Sequence, residues 1–243
     1  GLPPARLREL NAIFMRSLHA IAAAIILSSA AAVVRAEDVY RNFRQMTLGH
    51  DTPKEYTIIV KDRLSSVTVI APHGGEIERG TEDIARALAG TDWNLYAFIA
   101  QFPKGHRPLH VTAANFDDPI AVSLSSSAVL GVSVHRRKDP GAVICIGGSN
   151  TELRETLARE LTSSGFECEE PCLRLQGKSP DNIVNLPKAG GVQMELSLQI
   201  GDELASGGEK LSAFTKAVRS AVARILSGAS AQPTPSGVPA TTR

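Results

Sequence analysis

The chain has 243 residues, 43% hydrophobic and 21% charged, with a formal net charge of +1. This composition is ordinary for a globular protein and supplies no basic field for nucleic acid. The 5% aromatic content leaves few stacking platforms for bases.

Residues 1–14 read as an upstream extension, and Met15 to Ala36 reads as a signal peptide. Arg16 provides a basic start and an uncharged Ala/Ile/Leu/Val run follows. Val34 and Ala36 are small residues suited to cleavage before Glu37. The apolar run is short for a membrane span. The expected protein is therefore exported, periplasmic or secreted, with no stable membrane association after cleavage. A folded domain is expected over 38–227. Residues 228–243 form a Pro/Ser/Thr/Gly tail with no apolar periodicity.

Within the domain, Glu55–Lys61 and Ser66–Ala71 read as strands joined by a hairpin or short connection. The second ends in Pro72-His73-Gly74-Gly75-Glu76. Thr81 suits the cap of a helix through Leu88, which Gly90 stops. Asn94–Ala100 is a third strand and Leu109–Thr112 a short fourth. Asp118-Pro119 opens a helix. Ala128–His135 and Ala142–Gly147 are strands, and Thr151–Ser163 is a helix capped by Asn150. Gly191–Ile200 is a last strand, and Glu209–Leu226 an amphipathic helix. Strands alternating with helices predict a single α/β domain with a mixed central sheet flanked by helices.

Loops at the carboxyl ends of strands carry chemistry in such folds. His73 and Glu76 lie in one such turn, with two glycines to tighten it, and can supply two ligands to zinc. His135 ends another strand, as does His110 in the strand expected at Leu109–Thr112. Glu195 lies in an apolar strand and shares a face with Gln193 and Ser197. That face belongs either to a solvated edge strand or to a cleft. Two histidines and a glutamate leave a zinc ion one open position for water. A second glutamate can pass the water's proton to a leaving amine. His50 and His106 have no such context and are expected at the surface. Cys145 reads as a core residue, whereas Cys168 and Cys172 are either a local disulfide or two free thiols.

Several short motifs in order resemble the poly-γ-glutamate hydrolase family, whose fold is similar to zinc carboxypeptidases. They are Ala71-Pro-His-Gly-Gly-Glu-Ile-Glu78, Gly80-Thr-Glu82, Leu109-His-Val-Thr-Ala-Ala-Asn-Phe-Asp-Asp-Pro119, Ser133-Val-His135, Ile146-Gly-Gly148, Asn182-Ile-Val-Asn185 and Gly191-Val-Gln-Met-Glu-Leu-Ser197. The resemblance implies one zinc ion on His73, Glu76 and His135, with Glu195 as the catalytic glutamate and His110 as a pocket residue. It also implies a hydrolase of a polyanionic γ-glutamyl substrate. Arg136 and Arg137, which directly follow His135, are the cations expected to grip it, and the protein is expected to be a monomer. The basic segment after His135, Ala113 and the lack of an arginine near Gly201 depart from the family pattern. Rival expectations are a zinc carboxypeptidase, an N-acyl amino acid deacylase, and a catalytically degenerate periplasmic binding module.

Overall fold

The computed structural model describes residues 38–50, 52–101 and 109–230. The expected extension and signal peptide, His106, Arg107 and residues 231–243 lie outside them. In chain order the elements are α1 (Phe43–Thr47), β1 (Tyr56–Lys61), β2 (Val67–Gly75), α2 (Thr81–Ala89), β3 (Asn94–Ala100), α3 (Pro119–Ser127), β4 (Leu130–Arg136), β5 (Val143–Gly147), α4 (Thr151–Ser163), β6 (Glu167–Glu169), β7 (Gly191–Leu196), α5 (Leu198–Ala205) and α6 (Gly208–Ser230). Short 3-10 turns occupy Ala113–Asn115 and Ile183–Asn185.

Among the described residues, seven strands form one mixed sheet in the order β1-β3-β2-β4-β7-β5-β6. The run β3-β2-β4-β7 is parallel. β1 lies antiparallel to β3, and β5 antiparallel to β7. β1 and β2 are thus not a hairpin, because β3 lies between them. Leu109–Thr112 is not a strand: its polar groups are used to hold side chains, as described below. The last strand stops at Leu196. Ser197 turns the chain, its hydroxyl bonding Gly141 O and accepting from Val143 N–H, and α5 then buries Ile200 and Leu204. The last helix continues through Ser230, past the expected start of the tail.

Alternation along the strands divides the core. Val132 and Val134 of β4 and Val192, Met194 and Leu196 of β7 pack beneath α2, α4, α5 and α6. On the other face Ile70, Tyr96 and Phe98 pack with Phe43, Phe116 and Leu124. Gly131, Ser133 and His135 share that second face with Gly191, Gln193 and Glu195, to which they are paired in register. The chain leaves β2 for β3 on one side and returns as β4 on the other. This reversal opens a crevice at the carboxyl ends of β2 and β4.

Phe214 of α6 closes the helical layer. It is fully buried, with its ring edge-on to Phe166 at 5.8 Å between centroids. Phe214→Ala is expected to lower unfolding stability by about 3–5 kcal/mol, read from urea denaturation.

Candidate metal centre and catalytic site

One irregularity in β2 decides which side chain enters this crevice. Regular alternation would turn His73 to the helical face already occupied by Val67, Val69 and Ala71. The pairing with β3 shifts register between Ala71 and Gly74, as a bulge does, and His73 emerges beside His135 instead. Beyond it, the ladder with β3 continues through Gly75 and the Glu76 amide, which donates to Ala100 O at 3.0 Å. A Cβ on Gly75 would lie 2.1 Å from Ala100 O, and its φ is +68°, so only glycine fits there.

This pairing sends Glu76 outward. Its carboxylate is exposed and bonds Arg79 at 2.6 Å. The chain then folds back, with the Glu78 amide donating to His73 O at 2.8 Å. Glu78, not Glu76, therefore meets the histidines. Ligand atoms of His73, Glu78 and His135 all lie within 4.8 Å of one another. The turn is two residues longer than the His-x-x-Glu spacing suggests, and Glu78 closes the Ala71–Glu78 motif.

The hydrogen bonds define the chemistry of this cluster. His73 Nε2 lies 2.9 Å from Val111 O, which can only accept, so the proton is assigned to Nε2. The Nδ1 lone pair then faces Glu78 Oε1 at 2.9 Å and His135 Nδ1 at 3.2 Å. Glu78 Oε2 accepts from the Arg136 amide at 3.0 Å and lies 3.4 Å from His135 Nδ1. His135 Nε2 is buried without a partner. Electron-rich atoms converging in this way require a shared proton or a metal cation, and the donor set suits zinc. Burial alone would raise the Glu78 pKa, but the two imidazoles hold it well below the usual carboxylate range. Burial opposes charge on His135 too, yet Glu195 and Glu78 outweigh it and raise its pKa.

His110 is outside the cluster. Its ring stacks on His73 at 4.3 Å between centroids. Asp38 accepts from His110 Nδ1 and from the Thr112 amide, both at 2.7 Å, and so holds the segment whose Val111 carbonyl orients His73. His50 is not a surface residue, because it packs between Tyr40 and Glu55.

Glu195 lies beside His135 in the β4–β7 ladder and is 7% exposed. β7 is an interior strand, which excludes the solvated-edge alternative. Burial pushes its carboxyl up to about 7, opposed by His135 and reinforced by Glu78. Arg136 and Arg137 part company by strand parity. The Arg136 guanidinium turns to α5, where it bonds Leu198 O and Asp202. It lies where a Cβ on Gly201 would meet its Nε at 2.6 Å. Arg136 is thus committed to the fold. Arg137 is on the His135 side, paired with Asp139 and Glu169 and close enough to lower the Glu195 pKa.

The disulfide also differs from expectation. It joins Cys145 to Cys172, with Cα atoms 4.9 Å apart, and Cys168 is free. Cys145 pairs in register with Glu195 across β5 and β7. The chain after β6 folds back through a Cys172 amide bond to Ile146 O, which brings the second thiol to it. Cys145, Glu169 and Cys172 also cluster closely, but the disulfide uses both sulfurs.

Residues 40–216 match the model of the poly-gamma-glutamate hydrolase family. The structure superposes on a bacteriophage poly-gamma-glutamate hydrolase with a TM-score of 0.74 and 31% identity, covering 79% of this chain and 99% of that one. It superposes on a zinc-free apo form of YndL with a TM-score of 0.72 and 28% identity, covering 78% and 99%. In sequence it is 33% identical over 171 residues to the UPF0714 protein YndL of Bacillus subtilis (strain 168), covering 68% of this chain and 66% of that one. The SPbeta prophage-derived UPF0714 protein YoqZ of the same organism is 34% identical over 169 residues, covering 68% and 61%. The chain thus spans slightly under two thirds of the length of these two relatives. On its sequence and its fold, this chain belongs to the poly-gamma-glutamate hydrolase family.

Proposed function

We propose that this protein is an exported, zinc-dependent hydrolase of γ-glutamyl amide bonds, in poly-γ-glutamate or γ-glutamyl peptides. The observation that carries this reading is the buried meeting of His73, Glu78 and His135 beside Glu195. The two Nδ1 atoms and the Glu78 carboxylate would hold one zinc ion. When bound, zinc polarises a carbonyl and makes water a stronger acid. Val111 O fixes the His73 tautomer, and the Arg136 amide fixes the Glu78 carboxylate.

Glu195 is the proton carrier. A carboxyl pushed up to about 7 can accept a proton from water and return it to a departing amine near neutral pH. Arg137 is the cation placed to bind a substrate carboxylate, in competition with Asp139 and Glu169. The Cys145–Cys172 disulfide supports export, since such bonds persist in oxidising compartments. No helix among the described residues is long and apolar enough to cross a membrane.

Metal analysis and release of glutamate from poly-γ-glutamate test the assignment. Glu78→Gln should weaken zinc binding by about 100-fold, whereas Glu76→Gln should leave it near wild type. Glu195→Gln should retain zinc and lose about 1,000-fold in turnover. Zinc with no turnover on any γ-glutamyl substrate favours a deacylase or a binding module. Wild-type turnover in Glu195→Gln removes the role given to Glu195.

The raised Glu195 pKa has a stability counterpart in chelator-treated protein. Between about 4.5 and 7 the folded state keeps a proton that the unfolded chain has released, so stability falls as pH rises through this window. Glu195→Gln removes that loss. Urea denaturation at pH 5 and pH 8 should show wild type declining relative to the variant by roughly 1–3 kcal/mol.

A further inference from the structure

Glu195 is held by a chain of side-chain amides whose orientations are all determined. The Val184 amide donates to Asn182 Oδ1 at 3.2 Å, so Asn182 must present its NH2 group on the other side. That group donates to Gln193 Oε1 at 2.8 Å. Gln193 is thereby forced to present its own NH2 group, which donates to Glu195 Oε1 at 3.0 Å and to Leu175 O at 3.1 Å. Asn182 and Gln193 are 4% and 5% exposed, so water does not substitute for these partners.

The surrounding loop is shaped around this relay. A Cβ on Gly177 would lie 2.2 Å from Gln193 Oε1, and Gly177 has φ +60°. Asn185 donates to Gly177 O at 2.7 Å and Ser179 O at 2.8 Å, which clamps the loop over Gln193. Two separate motifs, Asn182-Ile-Val-Asn185 and Gln193-Met-Glu195, thus form one unit.

We propose that Gln193, oriented by Asn182, is the positioning residue that engages Glu195 Oε1 and leaves Oε2 for proton transfer. This rests on the reading of Glu195 as proton carrier. Among the described residues neither amide hydrogen-bonds to His73, Glu78 or His135, so the relay acts on turnover and not on metal retention.

Asn182→Asp separates orientation from packing. It keeps the shape but replaces the donor with an acceptor. Gln193 should then turn its NH2 group toward the new carboxylate and its oxygen toward Glu195. Expected for Asn182→Asp and Gln193→Leu is a fall in kcat on poly-γ-glutamate of about 10- to 100-fold, with KM within about twofold and zinc affinity unchanged. Asn182→Gln in place of Asp retains a donor and should recover part of the loss. Wild-type kcat in both Asn182→Asp and Gln193→Leu, with Glu195→Gln inactive, overturns the positioning role alone. Wild-type kcat in Glu195→Gln overturns the underlying reading instead. If wild type does not cleave the polymer, the side-chain amide NMR signal of Gln193 decides: a shift on Glu195→Gln and on Asn182→Asp supports the relay, and an unmoved signal overturns it.

Discussion

The Glu78 carboxylate, mostly withdrawn from water and set against two imidazoles, is the constraint around which the carboxyl edge of the sheet is organised. An ionised carboxylate is costly to bury alone. Here it is met by His73, by His135 and by the Arg136 backbone amide. Each of those partners needs its own support. His73 depends on the bulge in β2 and on Val111 O, which in turn depends on Asp38 through His110 and Thr112. His135 depends on its place at the end of β4 in the parallel part of the sheet. The geometry of this cluster is therefore a property of several elements together, and no isolated turn would retain it.

How much of this can be read from sequence depends on which force decides. Apolar patterning places Asn94–Ala100 and Thr151–Ser163 at their observed limits, because burial governs both, on both faces of the strand and on one face of the helix. It places Phe214, Val218 and Val222 on the inner face of the last helix for the same reason. Strand partners are less visible. Adjacent segments suggest a hairpin, yet β3 enters between β1 and β2, a choice made by tertiary contacts. The glutamate that meets the histidines is hidden for a finer reason. His73 and Glu76 have a familiar spacing, but the side chain that returns to the histidines is chosen by how far the β2–β3 ladder extends. That ladder includes the Glu76 amide and so passes the inward position to Glu78. The cysteines show the same limit. Nearness in sequence suggests Cys168 with Cys172, whereas the sheet brings Cys145 to Cys172.

Neighbouring polar side chains serve different ends according to the face of the sheet they take. Arg136 and Arg137 are adjacent and chemically alike. One anchors α5 through Asp202 and the other borders Glu195. The missing arginine near Gly201 acquires a structural sense here, since the small residue at 201 leaves room for the Arg136 guanidinium. On the opposite flank, the disulfide and Gln193 both fasten the segment after β6 against β5 and β7. This wall of the crevice is therefore stiffened by a covalent bond and by buried amides, not by apolar packing alone.

The pairing of His135 with Glu195 across β4 and β7 acts as a ruler made of backbone. Adjacent strands keep about 4.8 Å between them, and successive residues on one face are about 6.6 Å apart. The interval between His135 and the carboxyl next to it can change only in whole strand steps. A slip of one residue would also turn Glu195 into the helical core. Gradual adjustment of that interval is closed to this fold. Divergence in what the crevice accepts must come from the loops at its rim, while the spacing inside it stays fixed.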